Sequence, residues 1–196
     1  PLIISQFLMV LMGFFDSIMA GNVSPIDLAG LAIALAIYHP LFLLVLGIFI
    51  PLGSIISQLF GADNLEEIVK NAIQGLWLSQ ILALLSILFL SNTHHFLYRF
   101  GYEEEVISIA IDYLKALCWG IPAIYAFIVL RMFTEGLSIT RPTMYFSIIG
   151  LGLKVILNYI LMFGKYDSPV FGTAGAGWAT SISNWGMLII FVAFCA

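Results

Sequence analysis

Residues 2–20, "LIISQFLMVLMGFFDSIMA", decide the class of this protein. At ~1.5 Å of rise per residue the run is long enough, as a helix, to cross a ~30 Å hydrocarbon layer. It holds a single charge, Asp16. The rest of the chain has the same character: 62% of its 196 residues are hydrophobic and 9% are charged, with a mean hydropathy of +1.08. That balance identifies an integral membrane protein. The net charge of -4 comes from few ionisable groups, so no basic surface for nucleic acid is expected. Cys118 and Cys195 lie far apart in apolar runs and read as unpaired thiols, with no redox chemistry and no metal site. Pro1 is followed by neither a basic n-region nor a cleavage pattern. A cleaved signal peptide is therefore not expected, and the chain reads as a piece of something longer.

Six apolar runs are long enough to be candidate spans: 2–20, 28–60, 73–90, 106–130, 143–163 and 174–196. Turn-rich, charged connections separate them, among them "GNVSPID", "SNTHHFLYRFGYEEE" and "RMFTEGLSITRP". The second run exceeds one crossing and contains Pro40 and Pro51, while Pro122 interrupts the fourth. Each proline removes a backbone donor and can kink a helix, which packed membrane helices tolerate. The runs lack the alternation of a transmembrane barrel, so the expected fold is an all-α six-helix transmembrane bundle. Lys70, Arg131 and Arg141 lie in the second and fourth connections, against Arg99 and Lys165 in the third and fifth. This excess places the second and fourth connections, and both termini, in the cytoplasm.

Asp16 sits five residues before Gly21, about 7 to 8 Å inside the outer end of the first helix. A charged acid there costs up to ~2.5 to 3.5 kcal/mol, so it must face the bundle interior, a partner or water. It either serves a function or merely pins a helix pair. In the fifth run, "GLGLKVILNYILMFG", Lys154 and Asn158 fall at i and i+4 on one face. Lys154 is too deep to snorkel easily, and needs either an anion, for which Asp16 is the sensible candidate, or a wet lumen. The sixth run has small-residue rows, Gly172, Ala176 and Thr180, and Gly177 and Ser181, which imply close helix packing.

The order "FFDSIMAGNVSPIDLAGLAIALAI", "GLSITRPTMYFSIIGLGLKVILNYILMFG" and "GTAGAGWATSIS" resembles the N-terminal half of a multidrug and toxic compound extrusion (MATE) transporter, over essentially the entire chain. The resemblance implies one lobe of a pseudo-symmetric twelve-helix protein, with the C-terminal lobe absent from 1–196. It also implies export of organic, often cationic, compounds in antiport with protons or sodium across the plasma membrane, the inner membrane in a Gram-negative bacterium. No cofactor beyond the coupling ion is implied. By motif the coupling acid maps onto Asp16, the fifth-helix amide onto Asn158 and a sixth-helix hydroxyl onto Thr180. Lys154 departs from the pattern: where many members carry a small polar residue, an ammonium competes with sodium for the same oxygens. Sodium coordination is thereby in question. Protonation of Asp16 is then expected to break an Asp16–Lys154 pair and couple proton entry to helix movement.

The remaining polar residues read more plainly. Asp112 and Lys115, at i and i+3, form an exposed pair of little energetic weight. His94 and His95 lack a third ligand at useful spacing and read as an interfacial loop. Arg131, Glu135 and Arg141 read as structural. Tyr38 and Tyr125 are candidates to line a cleft for flat cations, against packing or lipid-facing roles, which Trp77 and Trp119 share. A lipid-linked oligosaccharide or polyisoprenoid flippase of the same wider superfamily is the alternative function, but it would carry a more basic cavity. Paired acids and an H-E-x-x-H motif are both absent from the sequence, so an enzyme is not expected.

Overall fold

The computed structural model describes residues 2–139, 141–164 and 171–195, with side chains outside 2–6, 9, 96, 141–142 and 194–195. Thr140 of the Thr-x-Pro motif, Lys165, and the side chains of Arg141 and Cys195 lie outside the described residues. Eight helices are described: α1 (Leu2–Val23), α2 (Pro25–Gly61), α3 (Leu65–Ser91), α4 (Thr93–Arg99), α5 (Glu104–Cys118), α6 (Ile121–Gly136), α7 (Arg141–Phe163) and α8 (Thr173–Cys195). No strand occurs among the described residues. The chain is a multi-pass, all-α membrane protein.

The helices start and stop where local chemistry demands. Ser24 caps α2: its Oγ accepts from the Asp27 backbone N–H at 2.9 Å and donates to the Asp27 carboxylate at 2.7 Å. Pro25 fills the first turn, where a missing N–H costs nothing. Asn64 accepts from the Glu67 N–H to open α3. Gly164, at φ +63°, closes α7 in the left-handed conformation that glycine adopts freely.

Lengths match a bilayer. α2, α7, α8 and the α3–α4 segment are each long and apolar enough to span, and α5 with α6 makes a further span bent by 53°. α1, with 22 residues, is about 33 Å long and reaches across too. α2, at 37 residues, continues through both Pro40 and Pro51 as one helix. It is longer than the hydrocarbon needs, so its ends project beyond it.

α6 is the centre of the bundle, buried on nearly every side: Ala123 through Val129 are all within the core. A helix apolar all round belongs inside a bundle. α2, α3 and α8 pack around it; α5 lies against α8 and α2, and α7 joins α1 to α8. Small residues set the closeness of these crossings. A Cβ on Gly177 would lie 2.7 Å from the Tyr113 carbonyl of α5, and one on Gly175 would lie 2.7 Å from the Leu161 backbone of α7. The small-residue row at the start of α8 is thus a packing surface on two sides.

The break between α5 and α6 falls where Pro122 interrupts the apolar run 106–130. The span is bent there by 53°, and the helix is interrupted at Trp119–Gly120, with Pro122 in the first turn of α6. Pro122 has no N–H for the Cys118 carbonyl, and the Gly120 N–H bonds to Leu117 instead of continuing the α ladder. Side chains repair the loss. Ser181 of α8 donates to the Ala116 carbonyl at 2.7 Å, the Trp185 indole donates to the Trp119 carbonyl at 2.9 Å, and Gln80 of α3 donates to the Pro122 carbonyl at 3.3 Å. In hydrocarbon such groups must be satisfied internally. Ser181→Ala is expected to lower stability by about 1–3 kcal/mol, the cost of an orphaned buried acceptor. Thermal denaturation in detergent measures it, and an unchanged midpoint would show that Ser181 does not hold the joint.

Candidate functional site

The site is built where α1 meets α7. On α1, Met12, Asp16 and Ala20 recur every four residues and form the inward stripe, with Asp16 2% and Ala20 0% exposed. On the opposite side of the same helix, Val10, Phe14 and Ile18 are uncovered. On α7 the buried stripe reads Thr143, Ser147, Gly150, Lys154, Asn158 and Met162. Gly150 lets the helices close, because a Cβ there would press on Met187 of α8 and approach Met12 of α1. Side chains four apart lie over one another on a helix, so Lys154 and Asn158 arrive at Asp16 together.

The geometry is a carboxylate clamp. Lys154 Nζ donates to Asp16 Oδ2 at 2.8 Å, and Asn158 Nδ2 donates to Asp16 Oδ1 at 2.7 Å. Lys154 is 6% and Asn158 0% exposed. The Asn158 Oδ1 atom is buried and makes no hydrogen bond. Of the two readings open for Lys154, pairing with an anion is the one observed. Burying two ions costs several kcal/mol each unless contact geometry and further hydrogen bonds repay it; here both carboxylate oxygens are engaged.

Thr180 does not reach the clamp in the way the resemblance implies. Its hydroxyl donates to the Ala176 carbonyl one turn back at 2.8 Å, and Tyr113 of α5 stands close to both Thr180 and Asp16. Tyr113 is the group that the sequence reading missed. It is fully buried and stands on the inward stripe of α5 with Ala110 and Leu117, a spacing that marks it as inward-facing without marking what it meets.

The two cleft aromatics part company. Tyr125 is 0% exposed and shares a 3.0 Å hydrogen bond with Ser86 of α3, so it is a core residue and lines no cleft. Tyr38 is half-buried, packed on Phe42 and His39. Trp77 and Trp119 are exposed, and Trp119 stacks with Trp178. His94 turns its ring to the Ser91 carbonyl, in contact with the ring of His95. Asp112 and Lys115 pair at 3.7 Å on the surface. Arg131 and Glu135 form a tight, largely buried pair at 2.6 Å within α6. A further unforeseen contact joins the outer ends of two helices: Asp27 of α2 accepts from both the backbone N–H and the hydroxyl of Thr173 at the start of α8.

Truncating one member of a buried ion pair leaves the other uncompensated. Lys154→Met alone is therefore expected to cost about 3–5 kcal/mol, and Asp16→Asn with Lys154→Met together less than the sum of the single changes. Denaturation of the four proteins in a double-mutant cycle measures this, and simple additivity would mean that the two charges do not stabilise each other.

The MatE family model matches residues 1–160. The chain is 37% identical, over its full length, to a protein named probable multidrug resistance protein NorM of Pasteurella multocida, of which it covers 42%. It is 38% identical to multidrug resistance protein MdtK of Edwardsiella ictaluri, again over the whole chain and 43% of the relative. The fold superposes on the outward-facing structure of a multidrug resistance MATE family transporter of the MOP superfamily with a TM-score of 0.88 at 23% identity, over 98% of this chain and 42% of that one. The chain thus spans less than half the length of these relatives. A matched model over most of the chain, these relatives and this superposition agree: the protein belongs to the MatE family, the multidrug and toxic compound extrusion transporters.

Proposed function

We propose that this chain forms one lobe, residues 1–196, of a secondary active exporter in the plasma membrane, expelling organic, often cationic, compounds in antiport with a monovalent cation. Asp16 is the cation-coupling carboxylate and Asn158 its amide partner; Thr180 stands at one remove, near Tyr113. The observation that carries this reading is the buried Asp16 clamped between α1 and α7 by Lys154 and Asn158. An ionised acid at that depth is expensive, and its charge is removed by a single proton. Gain or loss of that charge changes what holds α1 to α7, and so gives the lobe a means of shifting between two packings.

A second lobe supplies the other wall of the export cleft in this reading, so transport belongs to the full-length protein. The uncovered apolar face of α1, on the side away from Asp16, leaves that helix free to meet lipid or the second lobe. No cofactor takes part, and the chemistry is binding and release without bond making. The flippase alternative draws no support from the site. Its one deep ammonium, Lys154, is turned onto Asp16 rather than into a cavity.

The test is efflux of a fluorescent organic cation by the full-length transporter in sealed vesicles, with pH and sodium gradients imposed one at a time. Asp16→Asn is expected to lose gradient-driven efflux on the order of 5- to 150-fold, the usual span of coupling between two sites. Equal gradient-driven rates in wild type and variant would remove Asp16 from the coupling step.

A further inference from the structure

From the clamp we infer that Lys154 is a built-in cation that fills the coupling site and selects protons over sodium, with the unpartnered Oδ1 of Asn158 as the acceptor that receives the incoming proton's hydrogen bond. This rests on the coupling role proposed for Asp16.

The argument begins with what each group can do. A carboxylate only accepts hydrogen bonds, an ammonium only donates, and a primary amide does both. Facing an ionised Asp16, Asn158 must present its N–H, as it does at 2.7 Å. Its Oδ1 is thereby turned away and left buried without a partner. Buried acceptors are seldom left empty, and an acceptor directly beside a titratable acid is a place prepared for a second state. When a proton binds Asp16 Oδ1, the acid becomes a donor. Asn158 then turns its amide over so that Oδ1 accepts, and the same two residues stay bonded with donor and acceptor exchanged. Asp16 Oδ2 is left as a neutral carbonyl oxygen, and the Lys154 ammonium loses its counter-charge. The local charge rises from zero to one positive unit, so Lys154 is driven off the clamp toward water and α7 is released from α1 at that point.

Sodium cannot run the same cycle. Both carboxylate oxygens are occupied, and a sodium ion approaching them would stand beside a fixed ammonium of like charge. A proton instead adds to the oxygen itself and needs no vacated coordination position. The groups around Asp16 leave this logic intact. From α7 it meets Lys154 and Asn158. From α5 the phenol of Tyr113 stands close to it, with Tyr38 of α2 beyond. His39 of α2 is exposed on a groove that it shares with Ser17 of α1, away from the clamp. α8 carries no charged side chain. Lys154 is therefore the one cation that faces the acid among the described residues.

The deciding experiment uses the full-length transporter in proteoliposomes, with sodium chloride exchanged for choline chloride on one side, or a pH step, as the sole driving force. Wild type is expected to follow the pH gradient and ignore sodium. Lys154→Asn and Lys154→Gln, which remove the tethered charge, are expected to gain sodium-driven efflux by about tenfold or more over wild type. Lys154→Arg, which keeps the charge, should remain indifferent to sodium. Infrared difference spectra of wild type should show a protonated-carboxyl band growing as pH falls, absent in Asp16→Asn. Sodium-driven efflux by wild type overturns the inference. So does efflux by both neutral variants that follows pH alone. If Asp16→Asn still couples efflux to either gradient, the coupling reading itself is wrong. If it is uncoupled while wild type follows sodium, only the assignment of Lys154 falls.

Discussion

The contact between one carboxylate and one ammonium inside a layer of hydrocarbon constrains everything around it. A lone charge at the position of either Asp16 or Lys154 is costly in hydrocarbon. Each is tolerable because the other stands 2.8 Å away, across a helix contact in which Gly150 of α7 lies near Met12 of α1. The stripe of small and polar residues on α7 is thus as much a part of the site as the charges. Pair and packing are set together, which is why the proposed coupling places a change of charge and a change in the seating of a helix at the same point. Isolated surface pairs such as Asp112 and Lys115 carry no such consequence. Their charges are fully solvated with or without the partner.

Much of this was legible in the residue order because membranes make charge conspicuous. Asp16 stood out by cost alone, and Lys154 with Asn158 by depth and by a spacing that puts both on one face. Family resemblance supplied the expected roles. The sequence could not show that α1 lies on α7, since that contact joins residues 138 apart and no local pattern encodes it. Tyr113 escaped notice for a related reason. Its position on the amphipathic stripe of α5 announces an inward side chain, and inward side chains in a bundle are mostly packing. Tyr125 was open to a cleft, packing or lipid-facing role because an aromatic in an apolar helix looks the same from sequence in all three. Only the central position of α6 decides it. The 119–120 break was half-legible: Pro122 signalled an interruption, while its repair by Ser181, Trp185 and Gln80 came from helices the proline knows nothing about.

Two kinds of glue hold the lobe, and they differ in what they permit. Where α8 meets α5 and α7, Gly175 and Gly177 bring backbones within contact distance, and such interfaces have little freedom to slide. Where α1 meets α7, the contact includes the buried Asp16–Lys154 pair, the tie that the proposed coupling would switch with one proton. At the outer ends, Asp27 fastens the start of α2 to the start of α8 through Thr173. On the proposed coupling the lobe has a stiff part and a part with a catch. Motion of α1 is confined by its short link through Ser24 to a helix that is itself tied down.

The repaired joint between α5 and α6 has a consequence for how the protein is made. Its exposed carbonyls at Ala116 and Trp119 are satisfied by residues 181 and 185, which leave the ribosome long after the joint does. At ordinary synthesis rates of about 5–20 residues per second the interval lasts on the order of seconds, which is long on the timescale of helix formation. Throughout it, the bent span must keep its open backbone in contact with water, lipid headgroups or the insertion machinery. The most central helix of the finished lobe is thus the one whose membrane environment is completed last.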